Sequence, residues 1–149
     1  MNDPVISIKD LVKDNWTAAN TSGVTPYCHT GWWDTKSNHV QITFTDPSKV
    51  VVAGGAAHFT GMTSDGVPAK LWDCTLAVNI WITRESADMN PKQLRFEMEQ
   101  EVGRILKKNF EEISDLQYVT WKGGFGTVES DPPPTVYRLI GEAGYAYLD

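Results

Sequence analysis

From Trp72 to Thr83 the chain alternates without a break. Trp72, Cys74, Leu76, Val78, Ile80 and Ile82 fall on one side, and Asp73, Thr75, Ala77, Asn79, Trp81 and Thr83 on the other. Successive side chains of a strand point to opposite faces, so this pattern demands a sheet with one apolar face covered by another layer. It is the longest period-2 stretch in the chain and is expected to form a central strand. A shorter alternation sets Val40, Ile42 and Phe44 against Gln41, Thr43 and Thr45, and Asp46-Pro47-Ser48-Lys49 reads as the turn that ends it. Val50 to Ala53 then resumes extended structure. Leu116–Trp121 and Thr135–Leu148 supply two last strands, the latter with a bend expected at Gly141 or Gly144.

The covering layer is written in two amphipathic segments. Asp3 can cap a helix whose first residue is Pro4, with Ser7 as the alternative cap. Ile8, Leu11, Val12 and Trp16 share one helical face, and the polar run Thr17–Gly23 closes it. The second segment opens at Asn90-Pro91-Lys92-Gln93, a cap, a first-turn proline and a near capping box. Leu94, Met98, Val102, Ile105 and Leu106 form its apolar stripe, and the spacings Glu101–Arg104 and Lys108–Glu112 suit helical ion pairs. Acids crowd its first half and bases the stretch Arg104–Lys108, as the helix dipole favours.

The order is α, three strands, α, two strands. With no helical crossover among the first strands, the expected fold is α+β, a mostly antiparallel sheet packed by two helices in one domain over 1–149. Three connections exceed simple turns. Residues 17–38, with Tyr27 and Trp32-Trp33, have room for a short strand. Residues 54–70 read as a flexible tip, and 122–134 run from Gly123-Gly124-Phe125-Gly126 to Pro132-Pro133-Pro134.

Charge and motifs exclude more than they select. Thirteen bases against nineteen acids leave a formal charge of −6, which argues against a domain built to grip phosphates. An acidic surface does suit a wall that DNA slides past. No apolar run approaches a membrane span, and the opening Met-Asn-Asp-Pro-Val-Ile lacks the features of a signal peptide, so a cytoplasmic origin is expected. Cys28, His29, His39, His58 and Cys74 show no metal-ligand spacing, and no disulfide, metal or cofactor is expected. No nucleophile motif is present, and Glu97, Glu101, Glu111 and Glu112 read as a solvated helix face. The Gly123–Gly126 run lacks the helix start and Lys-Ser/Thr of a phosphate loop and reads as a mobile loop. Trp81 breaks the polar side of the long strand; it lies either under a loop or against a neighbouring subunit.

The opening Asp3-Pro4-Val5-Ile6-Ser7-Ile8-Lys9-Asp10-Leu11-Val12-Lys13-Asp14-Asn15-Trp16 and the segment Asn20–Pro26 resemble the tail terminator, or tail completion, proteins of long-tailed bacterial and archaeal viruses. So does Glu101-Val102-Gly103-Arg104-Ile105-Leu106-Lys107-Lys108-Asn109, together with the order of elements. The resemblance implies a structural virion protein without catalytic activity. It implies a ring, typically of six subunits, seated on the tail tube protein, ending tube growth and joining a head-completion or connector protein. DNA would pass through its lumen without specific binding, and no membrane is involved. The long inter-strand loop would reach a neighbour, and His58, Phe59, Met62, Trp81, Trp121 and Phe125 are the candidate interface residues. Segments 17–38 and 122–134 are longer than in the smaller members. The alternatives are another connector ring, such as a head-closure protein, or a small α+β enzyme or ligand-binding domain with a cleft under loop 54–70.

Overall fold

The computed structural model of the chain describes residues 3–51, 61–62, 68–69, 71–113, 116–131 and 133–148. Helix α1 spans Pro4–Asp14, with the Asp3 carboxylate accepting the Val5 N–H at 2.9 Å, so Asp3 rather than Ser7 is the cap. Val5, Ile8, Leu11 and Val12 are its buried residues. Trp16 falls just past the helix, where its indole N–H donates to Thr21 Oγ1 at 3.1 Å and to the Val24 carbonyl at 3.2 Å. These bonds hold the 3₁₀ turn Ala18–Thr21, which leaves through Ser22 and Gly23 at positive φ.

Among the described residues seven strands follow in chain order: β1 Tyr27–His29, β2 Gln41–Val51, β3 Gly61–Met62, β4 Pro68–Ala69, β5 Leu71–Thr83, β6 Leu116–Glu129 and β7 Val136–Leu148. Helix α2, Pro91–Asn109, lies between β5 and β6 in sequence. Five strands form one sheet in the order β1-β2-β5-β7-β6, while β3 and β4 pair separately. Among the described residues only β1 and β2 run parallel; the other neighbours are antiparallel. The fold is thus α+β, and along the main sheet its order is α-β-β-β-α-β-β. The expected long strand is β5, and it lies at the centre.

Both helices contribute to the core beside one face of this sheet. Ile42 and Phe44 of β2 and the even-numbered β5 residues Cys74 to Ile82 share the core cluster with Ile8, Leu11 and Val12 of α1. Leu94, Met98, Val102, Ile105 and Leu106 of α2 are fully buried in the same cluster. Each such aliphatic side chain contributes about 1.5–3 kcal/mol through burial, and this is what holds the helices to the sheet. No helix among the described residues is long and apolar enough to cross a membrane.

One expectation about the strands is met and two change. The short strand in 17–38 exists as β1, hidden in sequence because it is only three residues long. Asp46–Lys49 does not end a strand. It lies inside β2, where pairing steps from Thr45↔Ala77 to Ser48↔Thr75, one extra residue on β2. Proline cannot donate to a ladder, so a bulge is where Pro47 can be accommodated in a continuing strand. The connection 122–134 also shrinks, because β6 continues to Glu129. Finally, β7 pairs with β5 without a register shift, so no bulge interrupts that ladder at Gly141 or Gly144.

The glycines of β6 and β7 are explained by close approach. A Cβ on Gly124 would lie 2.3 Å from the Ile140 carbonyl oxygen and 2.7 Å from Gly141 Cα. On Gly126 it would strike the Arg95 guanidinium, and on Gly141 the Trp121 ring. Gly123 has φ of +80° beside the shift between Trp121 and Gly123, where Lys122 is the extra residue. The glycine-rich segment is a strand, not a mobile loop.

Candidate assembly surface

On the sheet face away from the helix stripes, the segment after β1 folds over one end of the strands. Trp33 stacks on Trp81, with ring centroids 5.3 Å apart and planes 6° from parallel. Trp32 meets Trp81 edge-on at 5.0 Å and is itself 59% exposed. Trp81 is 3% exposed, and its indole N–H donates to Thr43 Oγ1 at 3.0 Å. Of the two readings of this residue, the chain's own loop is the one found. Trp81 therefore leaves the set of interface candidates, because its ring is already covered by Trp32 and Trp33.

Arg138, directly across from Trp81 on β7, completes this end. Its guanidinium lies 4.3 Å from the Trp81 ring centroid and 5.1 Å from that of Trp32. It donates to Asn79 Oδ1 at 3.2 and 3.0 Å and pairs with Glu129 of β6 at 3.3 Å. Gln41, also buried, accepts the Asp34 N–H at 2.9 Å and returns its own amide N–H to the Asp34 carbonyl. The loop thus closes over paired polar groups as well as rings.

Glu101 overturns the reading of the helix acids as a solvated face. It is 2% exposed and accepts the Thr17 N–H at 2.7 Å, the Asn20 amide at 3.1 Å and both Nε and Nη2 of Arg104. Burial pushes its carboxyl upward, but these hydrogen bonds prevail and hold it below the usual carboxylate range. The pair Glu101–Arg104 expected from spacing is present and extends further: Arg104 Nη2 also donates to the Asn15 carbonyl at 3.1 Å. Glu97 likewise accepts from the Ser22 hydroxyl at 2.6 Å. Glu111 and Glu112 are exposed.

β6 forms one edge of the sheet over 14 residues, and among the described residues only β7 pairs with it. Trp121 and Phe125 both lie on it, on opposite faces. Trp121 turns to the helix side against Gly103 of α2, where a Cβ would sit 2.9 Å from its ring. Phe125, across from Ile140, is 62% exposed on the face that carries Trp81. Tyr118 and Val128 of the same strand and Phe96 of α2 are also exposed. A groove of ≈ 610 Å³ runs between α2 and β6, lined by Glu99, Gln100, Gly103, Arg104, Lys107, Val119, Thr120 and Trp121.

His58 and Phe59 lie outside the described residues, and Met62 belongs to the backbone ladder of β3 with β4. His29 Nε2 is 2.9 Å from Gln41 Oε1, and His39 is exposed. Cys28 and Cys74 are both buried, and among the described residues neither is in a disulfide. Sequence reasoning missed Arg138, Lys107 and Lys122; only their charge within apolar or glycine-rich segments could have singled them out. No protein-family model matches the chain, and no curated protein matches it.

Proposed function

We propose that the chain is a structural, non-enzymatic subunit of a ring at the end of a viral tail tube, of tail terminator type. The observation that carries the reading is the β6 edge, which among the described residues pairs with β7 alone and is bordered by exposed Phe125, Tyr118 and Val128. Beyond its two bulges, from Gly123 to Glu129, this edge pairs regularly and offers exposed apolar side chains, a ready surface for joining another chain. The resemblance of the α1 and α2 segments and the order of elements support the same reading. Closed rings arise from head-to-tail contacts between copies, six being the number the resemblance implies; in this reading those contacts use other surfaces, and the β6 edge joins the ring to a different protein of the tail. Rings would assemble in the host cytoplasm and stay in the virion at the tail or neck.

The test is electron microscopy of the purified chain mixed with tail tubes. A closed ring capping one tube end is the expected outcome. A single bound monomer, or a two-fold dimer at the tube end, would overturn the ring. Density on the head side alone would favour a head-closure protein instead.

A further inference from the structure

We infer that the β6 edge and the groove beside it accept an extended, acidic strand from a different protein, joined main chain to main chain. The inference rests on reading β6 as an assembly edge, and it names what that edge takes. Strand addition needs an unpaired edge and a neighbouring recess for alternate side chains, and here both occur together. From Gly123 through Glu129, β6 pairs with β7 without a register shift, so its outer side is regular there. Toward Val119, the recess between α2 and β6 offers an apolar floor of Trp121, Val119 and Gly103. An incoming strand would place every second side chain on this side and the others beside Phe125 and Lys122.

Charge selects the partner. Lys107 stands at the groove and Lys122 on the opposite face of β6, beside Gly144. Both are exposed, and neither has an ion-pair partner among the described residues. Arg104 is already held by Glu101, and Glu99 is the acid that lines the groove. In a chain of net charge −6, this stretch has the opposite sign, and it complements carboxylates on alternate sides of a strand. A second copy is the poorer occupant. The carboxylate that a second β6 edge would bring, Glu129, is already paired with Arg138, and the other sheet edge, β2 beyond β1, carries Pro47 and the bulge.

The experiment titrates ¹⁵N-labelled protein with three blocked decapeptides: a Val-Val-Glu-Glu repeat (Val-Glu), which carries carboxylates on both faces of a strand, the same repeat with lysine (Val-Lys), and Val-Glu methylated on every backbone nitrogen. The first should shift the Trp121 indole signal and the amides of Thr120–Val128, and added salt should weaken it. The other two should bind at least about tenfold more weakly, a difference of about 1.4 kcal/mol. The double variant K107E/K122E, altered only at exposed positions, should reverse the preference between Val-Glu and Val-Lys while keeping the wild-type spectrum elsewhere. Equal binding of the methylated peptide, equal binding of Val-Lys, or no shift on β6 at millimolar peptide would overturn the inference. So would self-association through β6 in the absence of peptide, which would put a second copy in the groove. Capping of tubes is read separately, so a ring without peptide binding removes this inference alone. Peptide binding without a ring removes the ring alone.

Discussion

Glu101 ties the segment after α1 to the middle of α2. It satisfies a backbone N–H, an amide and a guanidinium at once, and its side chain is buried. Glu101→Gln keeps the shape but removes the charge, and its amide N–H₂ faces donors that need an acceptor. The variant should lose about 1–3 kcal/mol at pH 7, measured by urea denaturation. The sign with pH follows from the lowered carboxyl. A depressed native pKa contributes stability above the unfolded value of about 4.3 and loses it as pH falls through the native value. Wild type and variant should therefore converge in acid; a gap that persists undiminished there would contradict the account. The residue was misread from sequence for a physical reason. Thr17 and Asn20 lie more than eighty positions away, and helical spacing reports only local neighbours.

At the scale of single elements, β6 depends on glycine for a reason that a turn signal cannot reveal. The β7 backbone comes so near Gly124 that a methyl group would meet a carbonyl oxygen, and no flexible side chain is there to yield. Gly124→Ala should cost about 1–3 kcal/mol, the usual range for overpacking, and should broaden or displace the β6 amide signals. A variant as stable as wild type would show that the two strands can part there at little cost. The elements with strong periodicity, α1, α2 and β5, were legible because amphipathic pattern is a local imprint of burial. β1 was too short to print one. Pro47 and the glycines mimic turn chemistry, although pairing with β5 and β7 carries the chain through both as strand. Of the site, Trp121 and Phe125 could be named from their residue type. The groove between α2 and β6, and the cover over Trp81, depend on which elements become neighbours.

For the whole molecule, the sheet order sets a gradient of protection. β5 and β7 are each paired on both sides, whereas β6 is paired on one. Hydrogen exchange in the free subunit should be slowest in β5 and β7, and fast at the β6 amides that face away from β7. In the proposed assembly with tail tubes those outward amides should slow markedly. Unchanged exchange along β6 in the assembled state would move the contact to another surface. Finally, the buried thiols make the chain its own reporter. Burial outweighs the nearby charges of Lys9 and Lys13 and raises Cys28 to about 12, and Cys74 is equally enclosed in the core. Because the thiolate is the reactive form, maleimides will pass over both in the native protein. A cysteine introduced at an exposed position of β6 can then carry a fluorophore in the unaltered background, while slow labelling of the native pair times each global opening.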